Sequence, residues 1–130
     1  MAQCRSVLIV EDDPEIRETL KEIIELEGYT AFTASDGRKA LELLRDSAQR
    51  PCLVLLDLMM PVMNGWELLD LREQDLQLAT IPVVVVSAAG ERAQGTTASG
   101  HIKKPVDIDV LLQTVRQYCG EAYSDQQEAS

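Results

Sequence analysis

Polar side chains that could do chemistry stand directly after several short runs of apolar residues in this 130-residue chain. They include carboxylates, one hydroxyl and two ammonium groups. They are Glu11, Asp12 and Asp13 after the first run, Asp57 and Ser87 after two later runs, and Lys103 and Lys104 near the C-terminal end. If the runs are parallel strands, their carboxyl ends share one edge of a sheet, where open α/β proteins form their sites. We therefore expect these groups to converge.

Carboxylates brought together in this way repel one another. Two negative charges about 4 Å apart cost about 4 kcal/mol at an effective dielectric constant of about 20. Protonation, a lysine or a bound cation must offset that cost, and a few carboxylates with open positions for water or phosphate suit Mg²⁺. A carboxylate beside Mg²⁺ and a lysine can also attack phosphorus. The cation, the lysine and a hydroxyl would then stabilise the transferring phosphoryl oxygens.

Each of these groups also has a purely structural interpretation. The acidic triplet 11–13 precedes Pro14 and could do no more than cap a helix and complement its dipole. The aspartate and serine at the later strand ends could be ordinary turn residues, and the lysines could be solvated surface residues. The combination, with a polar group at each of four strand ends, favours the site.

Alternating strand and helix patterns supply the elements that would position these groups. The predicted strands cover residues 6–10, 29–34, 52–56, 81–86 and 101–103. The first of them is apolar from Val7 onward, as in a strand buried on both faces. Asp13 and Pro14 then indicate an N-cap and a first helical residue. One helical face follows, formed by Ile16, Leu20, Ile23 and Ile24, and Gly28 ends that helix.

Three further helices complete the alternation. The first of them has the inward-facing positions Ala40, Leu41, Leu44 and Ala48. The second follows Asn64-Gly65 and carries Trp66 and Leu69. The last follows an Asp107 cap, and its inward-facing positions are Ile108, Leu111, Leu112, Val115 and Tyr118 or Cys119. Repeated strand–helix alternation predicts a parallel sheet with helices on both faces. Residues 88–100 hold three glycines and almost no large apolar residue, which predicts a loop or a few frayed turns. Residues 121–130 are predicted to be a polar, disordered tail.

The composition narrows the class of partner. Twelve Lys and Arg residues against 22 Asp and Glu residues leave a formal charge of −10, which disfavours direct binding to nucleic acid or to an anionic membrane surface. Cys4, Cys52 and Cys119 form no CxxC motif, and the lone His101 cannot complete a zinc site with them. We expect free thiols in a reducing compartment. The N-terminus carries no targeting signal, which indicates a soluble cytoplasmic protein.

The chain resembles the receiver domain of two-component response regulators. The matching segments are VLIVEDDPEIR at 7–17, LVLLDLMMPVMNG at 53–65, IPVVVVSA at 81–88 and KP at 104–105, and the stretch DLMMPVMNG is highly specific. Together they indicate one receiver domain over residues 4–120, followed by the short tail. The resemblance implies a flavodoxin-like, doubly wound α/β fold with a five-stranded parallel sheet in the order 2-1-3-4-5.

The same resemblance implies a role for each acidic residue. Asp57 would accept a phosphoryl group from a phosphohistidine on a sensor histidine kinase or a histidine phosphotransfer protein. Asp12, Asp57 and the backbone carbonyl of Met59 would bind Mg²⁺ directly, while Glu11 would act mainly through metal-bound water. These assignments make Asp57 both the acceptor and a metal ligand.

The remaining matched positions concern the response to phosphorylation. Lys104 would pair with the phosphoryl oxygens and precede a cis peptide bond, while Ser87 would swing toward the phosphoryl group and move its loop. Two features depart from the usual receiver pattern and concern this response to phosphorylation. The segment from Ser87 to Lys104 is shorter than usual by more than a turn of helix, so the fourth helix would be shortened or absent. His101 stands at a switch position that is usually Tyr or Phe. We expect a partly buried, neutral imidazole there rather than a pH sensor.

The sequence therefore predicts a phosphorylation-dependent signalling switch that acts on an unidentified downstream protein. It would be no enzyme beyond catalysing its own phosphorylation and dephosphorylation. A receiver-like docking module whose output is independent of phosphate is the alternative, and the short 88–100 segment motivates it. A haloacid-dehalogenase-like phosphohydrolase is less favoured, because the second acid expected two residues after the nucleophile is replaced by Met59.

Overall fold

The computed structural model describes residues 6–45, 51–57, 70, 74, 78–87 and 99–120. The strands are β1 (Ser6–Val10), β2 (Thr30–Ala34), β3 (Leu53–Asp57), β4 (Val83–Ser87) and β5 (Gly100–Lys103). The helices are α1 (Pro14–Leu26), α2 (Gly37–Arg45) and α3 (Ile108–Cys119), and a 3₁₀ helix (Leu78–Thr80) precedes β4. The predictions for Cys4, Ala48, Trp66 and Leu69, for residues 88–98 and for the tail 121–130 fall outside the described residues. Asp70 and Gln74, in the region of the helix predicted after Asn64, are described and are helical.

The five strands form one parallel sheet in the order β2-β1-β3-β4-β5. The predicted flavodoxin-like topology is therefore confirmed, with β3 in the middle of the sheet and β2 and β5 at its two edges. Val10 of β1 is level with Leu56 of β3. Because the strands run parallel and in register, their carboxyl ends meet at one edge of the sheet, which we call the carboxyl edge; the opposite one is the amino edge.

Two apolar layers hold the helices against the sheet. Successive side chains of a strand point to opposite faces, so each central strand contributes to both layers. One layer packs Leu8, Val54, Leu56 and Val85 against Ala40, Leu41 and Leu44 of α2. The other packs Val7, Ile9, Leu55 and Val84 against Leu20 and Ile24 of α1 and Leu111 and Val115 of α3. This two-sided burial explains why the central strands are apolar throughout.

Two aspartate caps set where α1 and α3 begin. The side chain of Asp13 accepts hydrogen bonds from the backbone N–H groups of Glu15 and Ile16, and Asp107 does the same for Asp109 and Val110. Both caps were predicted and both are confirmed. At the other end of α1, Gly28 adopts a φ of 98°, a conformation that L side chains disfavour, which reverses the chain into β2.

Two isoleucines predicted to face the core are instead exposed. Ile16 lies in the first turn of α1 and is 38% exposed, and Ile108 lies in the first turn of α3 and is 45% exposed. Both line the same groove of about 710 Å³, together with Lys104, Pro105 and Val106. Periodicity assigned each residue to the inward face of its helix, but the two helices leave that face uncovered where they start.

The expectation of free thiols is wrong for two of the three cysteines. Cys52, just before β3, and Cys119, the last residue of α3, form a disulfide with a Cα–Cα distance of 5.5 Å. The two residues are 67 positions apart in sequence, so only the folded sheet brings them together. No helix among the described residues has the length and apolarity needed to cross a membrane.

Candidate functional site

The strand ends bring the predicted acidic residues together at the carboxyl edge. Glu11 directly follows β1, and Asp57 is the last residue of the neighbouring β3. Since Val10 is paired with Leu56, the next residue of each strand is at the same level. One carboxylate oxygen from each of Glu11, Asp12 and Asp57 lies within 4.8 Å of the other two. The predicted convergence of these three carboxylates is confirmed.

The three carboxylates differ in their exposure to water. Glu11 is only 4% exposed and Asp57 only 5%, whereas Asp12 is exposed. Glu11 and Asp57 are the two buried charged residues among the described parts of the chain. Buried carboxylates are stable only when positive charge or hydrogen-bond donors compensate the lost hydration.

Lys104 supplies one positive charge to this cluster. Its Nζ atom lies 3.7 Å from Oε1 of Glu11 and 3.7 Å from Oδ1 of Asp57. The lysine follows β5 directly, and its peptide bond to Pro105 is cis, as the resemblance implied. The neighbouring Lys103 is exposed at the end of β5. The sequence offered both lysines as candidates, and Lys104 is the one that reaches the carboxylates.

Backbone and side-chain donors fix the turn between β1 and α1. The N–H of Asp13 donates to Oε2 of Glu11 at 3.1 Å, and Nη1 of Arg17 donates to the carbonyl oxygen of Glu11 at 3.0 Å. Asp13 itself is the cap of α1. The acidic triplet therefore has a divided role: Asp13 caps the helix, while Glu11 and Asp12 belong to the carboxylate cluster.

Burial raises the pKa of Glu11 from 4.5 to about 7, because the ionised carboxylate loses hydration. The hydrogen bond from the N–H of Asp13 acts in the opposite direction, the negative charge of Asp57 raises the pKa further, and the ammonium of Lys104 lowers it. A side-chain hydrogen bond with Asp57 also raises it. At neutral pH this carboxyl is therefore balanced between its two protonation states, so added positive charge would favour the ionised form.

Three further residues were predicted to belong to the site: Met59, Ser87 and His101. Met59 and the side chain of Ser87 lie outside the described residues, although the backbone of Ser87 ends β4. His101 pairs with Val85 in the sheet and is exposed, so the expectation of a partly buried imidazole is wrong. The reason is strand alternation: the adjacent Ile102 is buried against the layer of α1 and α3, which turns His101 to the other face of the outermost strand.

An apolar groove adjoins the carboxylate cluster, and sequence reasoning missed it. Its lining combines Ile16 and Leu20 of α1 with Lys104, Val106 and Ile108. Lys104 thus contacts the carboxylates and also borders the groove. A signal for it exists in the sequence, since large apolar residues stand in the first turns of α1 and α3, which start side by side at this edge.

Comparison with known proteins shows to which family the chain belongs. Residues 7–116 match the family model of the response regulator receiver domain. The chain belongs to this family. As a receiver domain it is 32% identical over 123 residues to the polar-differentiation response regulator DivK of Brucella anthropi, covering 91% of this chain and 98% of that protein. The DivK protein of Brucella ovis is 31% identical over the same length, with the same coverage.

Two solved structures of known proteins have the same fold as this receiver domain. The signal receiver domain of a signal transduction histidine kinase from Syntrophus aciditrophicus has a TM-score of 0.81 and 32% identity, covering 91% of this chain and 90% of that one. The chemotaxis protein CheY4 of Vibrio cholerae has a TM-score of 0.76 and 28% identity, covering 90% and 99%. The chain is therefore a CheY-like receiver of the two-component signalling type.

Proposed function

We propose that this receiver accepts a phosphoryl group on Asp57 from a phosphohistidine of a sensor histidine kinase or a histidine phosphotransfer protein. The observation that carries the proposal is the setting of Asp57: a buried carboxylate at the end of β3, 3.7 Å from Lys104 and within 4.8 Å of Glu11 and Asp12. A nucleophile of this kind, flanked by positive charge and further carboxylates, suits transfer to phosphorus.

The proposed reaction is a direct displacement at phosphorus. A carboxylate oxygen of Asp57 attacks the phosphorus atom of the phosphohistidine, and a P–O bond forms as the P–N bond breaks. The imidazole leaves and takes up a proton. Hydrolysis of the aspartyl phosphate later returns the carboxylate and inorganic phosphate. The rigid, fully buried strand β3 holds the attacking oxygen in place and limits its motion during the transfer.

Mg²⁺ fits the donor set of this site. Glu11, Asp12 and Asp57 offer the hard oxygen ligands that this cation prefers, and the raised pKa of Glu11 indicates a need for more positive charge than Lys104 supplies. When bound, the cation would neutralise negative charge on the transferring phosphoryl oxygens. The backbone carbonyl of Met59 is proposed as a further ligand from the resemblance alone.

Other residues of the chain are proposed to read the phosphorylated state. The ammonium group of Lys104 is close enough to Asp57 to pair with a phosphoryl oxygen bound there. The hydroxyl of Ser87, at the end of the strand beside β3, is proposed to turn toward the same group. His101 is exposed on β5 and is proposed as a surface switch position rather than a buried one.

The groove beside Lys104 is proposed to receive the phosphodonor protein. A phosphohistidine must approach Asp57 from the carboxyl edge, and the groove with Ile16 and Ile108 opens at that edge. The net charge of −10 disfavours nucleic acid and anionic membranes as partners, which leaves other proteins as the favoured partners.

The remaining parts of the proposal concern the whole chain. We propose that the receiver domain covers residues 4–120, that the protein is cytoplasmic, and that its phosphorylation switches contacts with a downstream protein.

Intact-mass measurement after incubation with acetyl phosphate and Mg²⁺ tests the proposed function. We expect one added phosphoryl group on the wild-type chain and none on Asp57→Asn or in the presence of EDTA. Asp13→Asn is the matched control, because asparagine also caps a helix and Asp13 lies outside the carboxylate cluster; it should be labelled like the wild type.

Unchanged labelling of Asp57→Asn would refute the acceptor assignment. If the wild type shows no adduct, binding of beryllofluoride, which mimics an acyl phosphate, separates rapid hydrolysis from inactivity. Failure of both would favour the docking module whose output is independent of phosphate.

A further inference from the structure

The amino edge of the sheet carries a covalent bond that phosphoryl transfer does not use. Sγ of Cys52 is bonded to Sγ of Cys119, which joins the start of β3 to the end of α3. Cys52 and Asp57 stand five residues apart along extended chain, a span of about 17 Å. The disulfide and the proposed phosphoacceptor are therefore at opposite ends of one strand.

We propose that the Cys52–Cys119 disulfide is a reversible redox latch, which fixes the end of α3 to the sheet and opens by exchange with a dithiol reductant. This inference goes beyond the proposed function, rests only on its cytoplasmic placement, and does not depend on phosphoryl transfer to Asp57. Disulfides of proteins in reducing compartments are usually transient or redox-sensing. A bond of this kind in a receiver that we place in the cytoplasm therefore points to a regulated link.

The two cysteines differ in their exposure to water. Cys119 is only 6% exposed and belongs to the apolar layer between α3 and the sheet, whereas Cys52 is half-buried and borders that layer. We therefore assign Cys52 as the cysteine that the reductant thiolate attacks. Disulfides that solvent can reach are the labile ones, in contrast to fully buried structural bridges.

The exchange with a dithiol balances in two steps. The reductant thiolate bonds to Sγ of Cys52 as the S–S bond breaks, and Cys119 leaves as a thiolate that takes up a proton. The second thiol of the reductant then displaces Cys52 from the mixed disulfide. The reductant ends as its own internal disulfide, and two electrons and two protons end on the two cysteines.

The surrounding structure accommodates the reduced state. Sγ of Cys52 lies 3.0 Å from the carbonyl oxygen of Ser6, an acceptor for the thiol that reduction creates. The end of α3 keeps two further bonds: the N–H of Gly120 donates to the carbonyl of Arg116 at 2.8 Å, and the hydroxyl of Tyr29 donates to the carbonyl of Gly120 at 2.5 Å. Reduction should therefore loosen the last turn of α3 without unfolding the chain.

The latch acts on the helix that begins beside the carboxylate cluster. Asp107 caps α3 three residues after Lys104, and Cys119 ends it at the amino edge. Opening the disulfide thus frees the far end of α3, while the ion pairs of Lys104 with Glu11 and Asp57 stay intact. We expect a change in α3 and little change in the phosphorylation chemistry.

Counting free thiols on the full-length chain tests whether the latch exists and opens. The chain has three cysteines, so alkylation and intact mass should find one reactive thiol after oxidation with oxidised glutathione. Treatment with a thioredoxin-type dithiol, without denaturant, should raise that number to three, and reoxidation should restore one. Three thiols after oxidation, a mapped bond to Cys4, or reduction only in denaturant would each overturn the proposal.

Hydrogen exchange by mass spectrometry tests whether the bond restrains α3. We expect reduction to speed exchange of the Cys119 and Gly120 amides about tenfold or more and to lower the Tm by about 10 °C. Exchange in β3 and the rate of labelling by acetyl phosphate should stay within about twofold, as expected for sites that share no contacts. Equal exchange of the α3 end in both redox states would overturn the latch.

Cysteine variants separate the latch from general effects of reductant. Cys52→Ala should behave like the reduced wild type with or without reductant, and so should Cys119→Ala. Cys4→Ala is the matched control and should keep the full response to reduction. If Cys119→Ala fails to fold, Cys52→Ala still decides the question, because Cys52 is only half-buried. A reductant response that persists in Cys52→Ala would refute the latch.

Discussion

At the carboxyl edge the strands end in charges that repel one another, whereas at the amino edge covalent and hydrogen bonds join the strands to α3. Glu11 and Asp57 are buried at the first edge, with Lys104 between them. At the second edge, the Cys52–Cys119 disulfide is accompanied by the hydrogen bond from Tyr29 to the residue after α3. The first arrangement costs stability and the second supplies it.

This difference explains how a small domain can hold a cluster of partly buried carboxylates. Clustered carboxylates are tolerated because the two apolar layers and the clamped amino edge fix the strands that carry them. Helix α3 spans the two edges, since it begins after Lys104 and ends at Cys119. A change at either edge can therefore reach the same helix, and variants at each edge can be used to separate the two contributions.

Removing the ammonium group should have the largest effect on the chemistry of the carboxyl edge. We expect Lys104→Ala to slow labelling of the chain by acetyl phosphate about 10²–10³-fold, the usual cost of losing one group that stabilises the charge of the transition state. Mg²⁺ binding should persist, because the lysine is no metal ligand. Initial rates of phosphorylation check this, with Lys103→Ala as the adjacent control. Equal rates for the two variants would mean that Lys104 does not contact the transferring group.

Neutralising Glu11 should stabilise the fold in a pH-dependent manner. The folded-state pKa of about 7 lies above the ordinary 4.5, so the folded chain binds more protons than the unfolded chain between these values. Stability should therefore fall as the pH rises from about 4.5 to 7 and stay low above that. In EDTA at pH 8, Glu11→Gln should be more stable than the wild type by about 1–3 kcal/mol, with little difference at pH 4.5.

Urea unfolding at the two pH values measures this effect, and Glu18→Gln on the exposed face of α1 serves as the control. Mg²⁺ should stabilise the wild type more at pH 8 than at pH 4.5, because the cation binds the ionised carboxylates. A wild type that is equally stable at both pH values in EDTA would contradict the account of Glu11.

The groove should affect transfer from a protein donor and not from a small one. Ile16→Glu places a charge in the groove, and we expect it to weaken transfer from a phosphorylated histidine phosphotransfer protein about tenfold, the value of one lost apolar contact. Labelling by acetyl phosphate should be unchanged. Leu26→Glu is the control, since Leu26 is 84% exposed at the other end of α1. Equal transfer to both variants would remove the groove from donor docking.

The fold was predictable because each of its signals is local. Apolar runs marked the strands, aspartate caps marked the starts of α1 and α3, and the rule for parallel sheets brought Glu11, Asp12 and Asp57 together. The sequence also separated the cap from the rest of the acidic triplet, since Pro14 after Asp13 indicates a helix start, and the turn geometry confirms this cap.

Features that depend on what covers a surface were the ones missed. Helical periodicity identifies the inward side of Ile16 and Ile108 but not that a groove lies there. His101 was misplaced for a similar reason, since its burial depends on which face of β5 is covered. Three cysteines allow three pairings, and the 67-residue separation gives no local signal for the pair that forms.

Locating the phosphoryl group on the chain tests the central claim most directly. Borohydride reduces an aspartyl phosphate to homoserine, so peptide mapping after incubation with acetyl phosphate and reduction reads the acceptor position. We predict homoserine at position 57, only when Mg²⁺ is present, and to the same extent in the oxidised and reduced chains. A modified residue elsewhere in the carboxylate cluster, or a phosphoryl group on His101, would contradict the account.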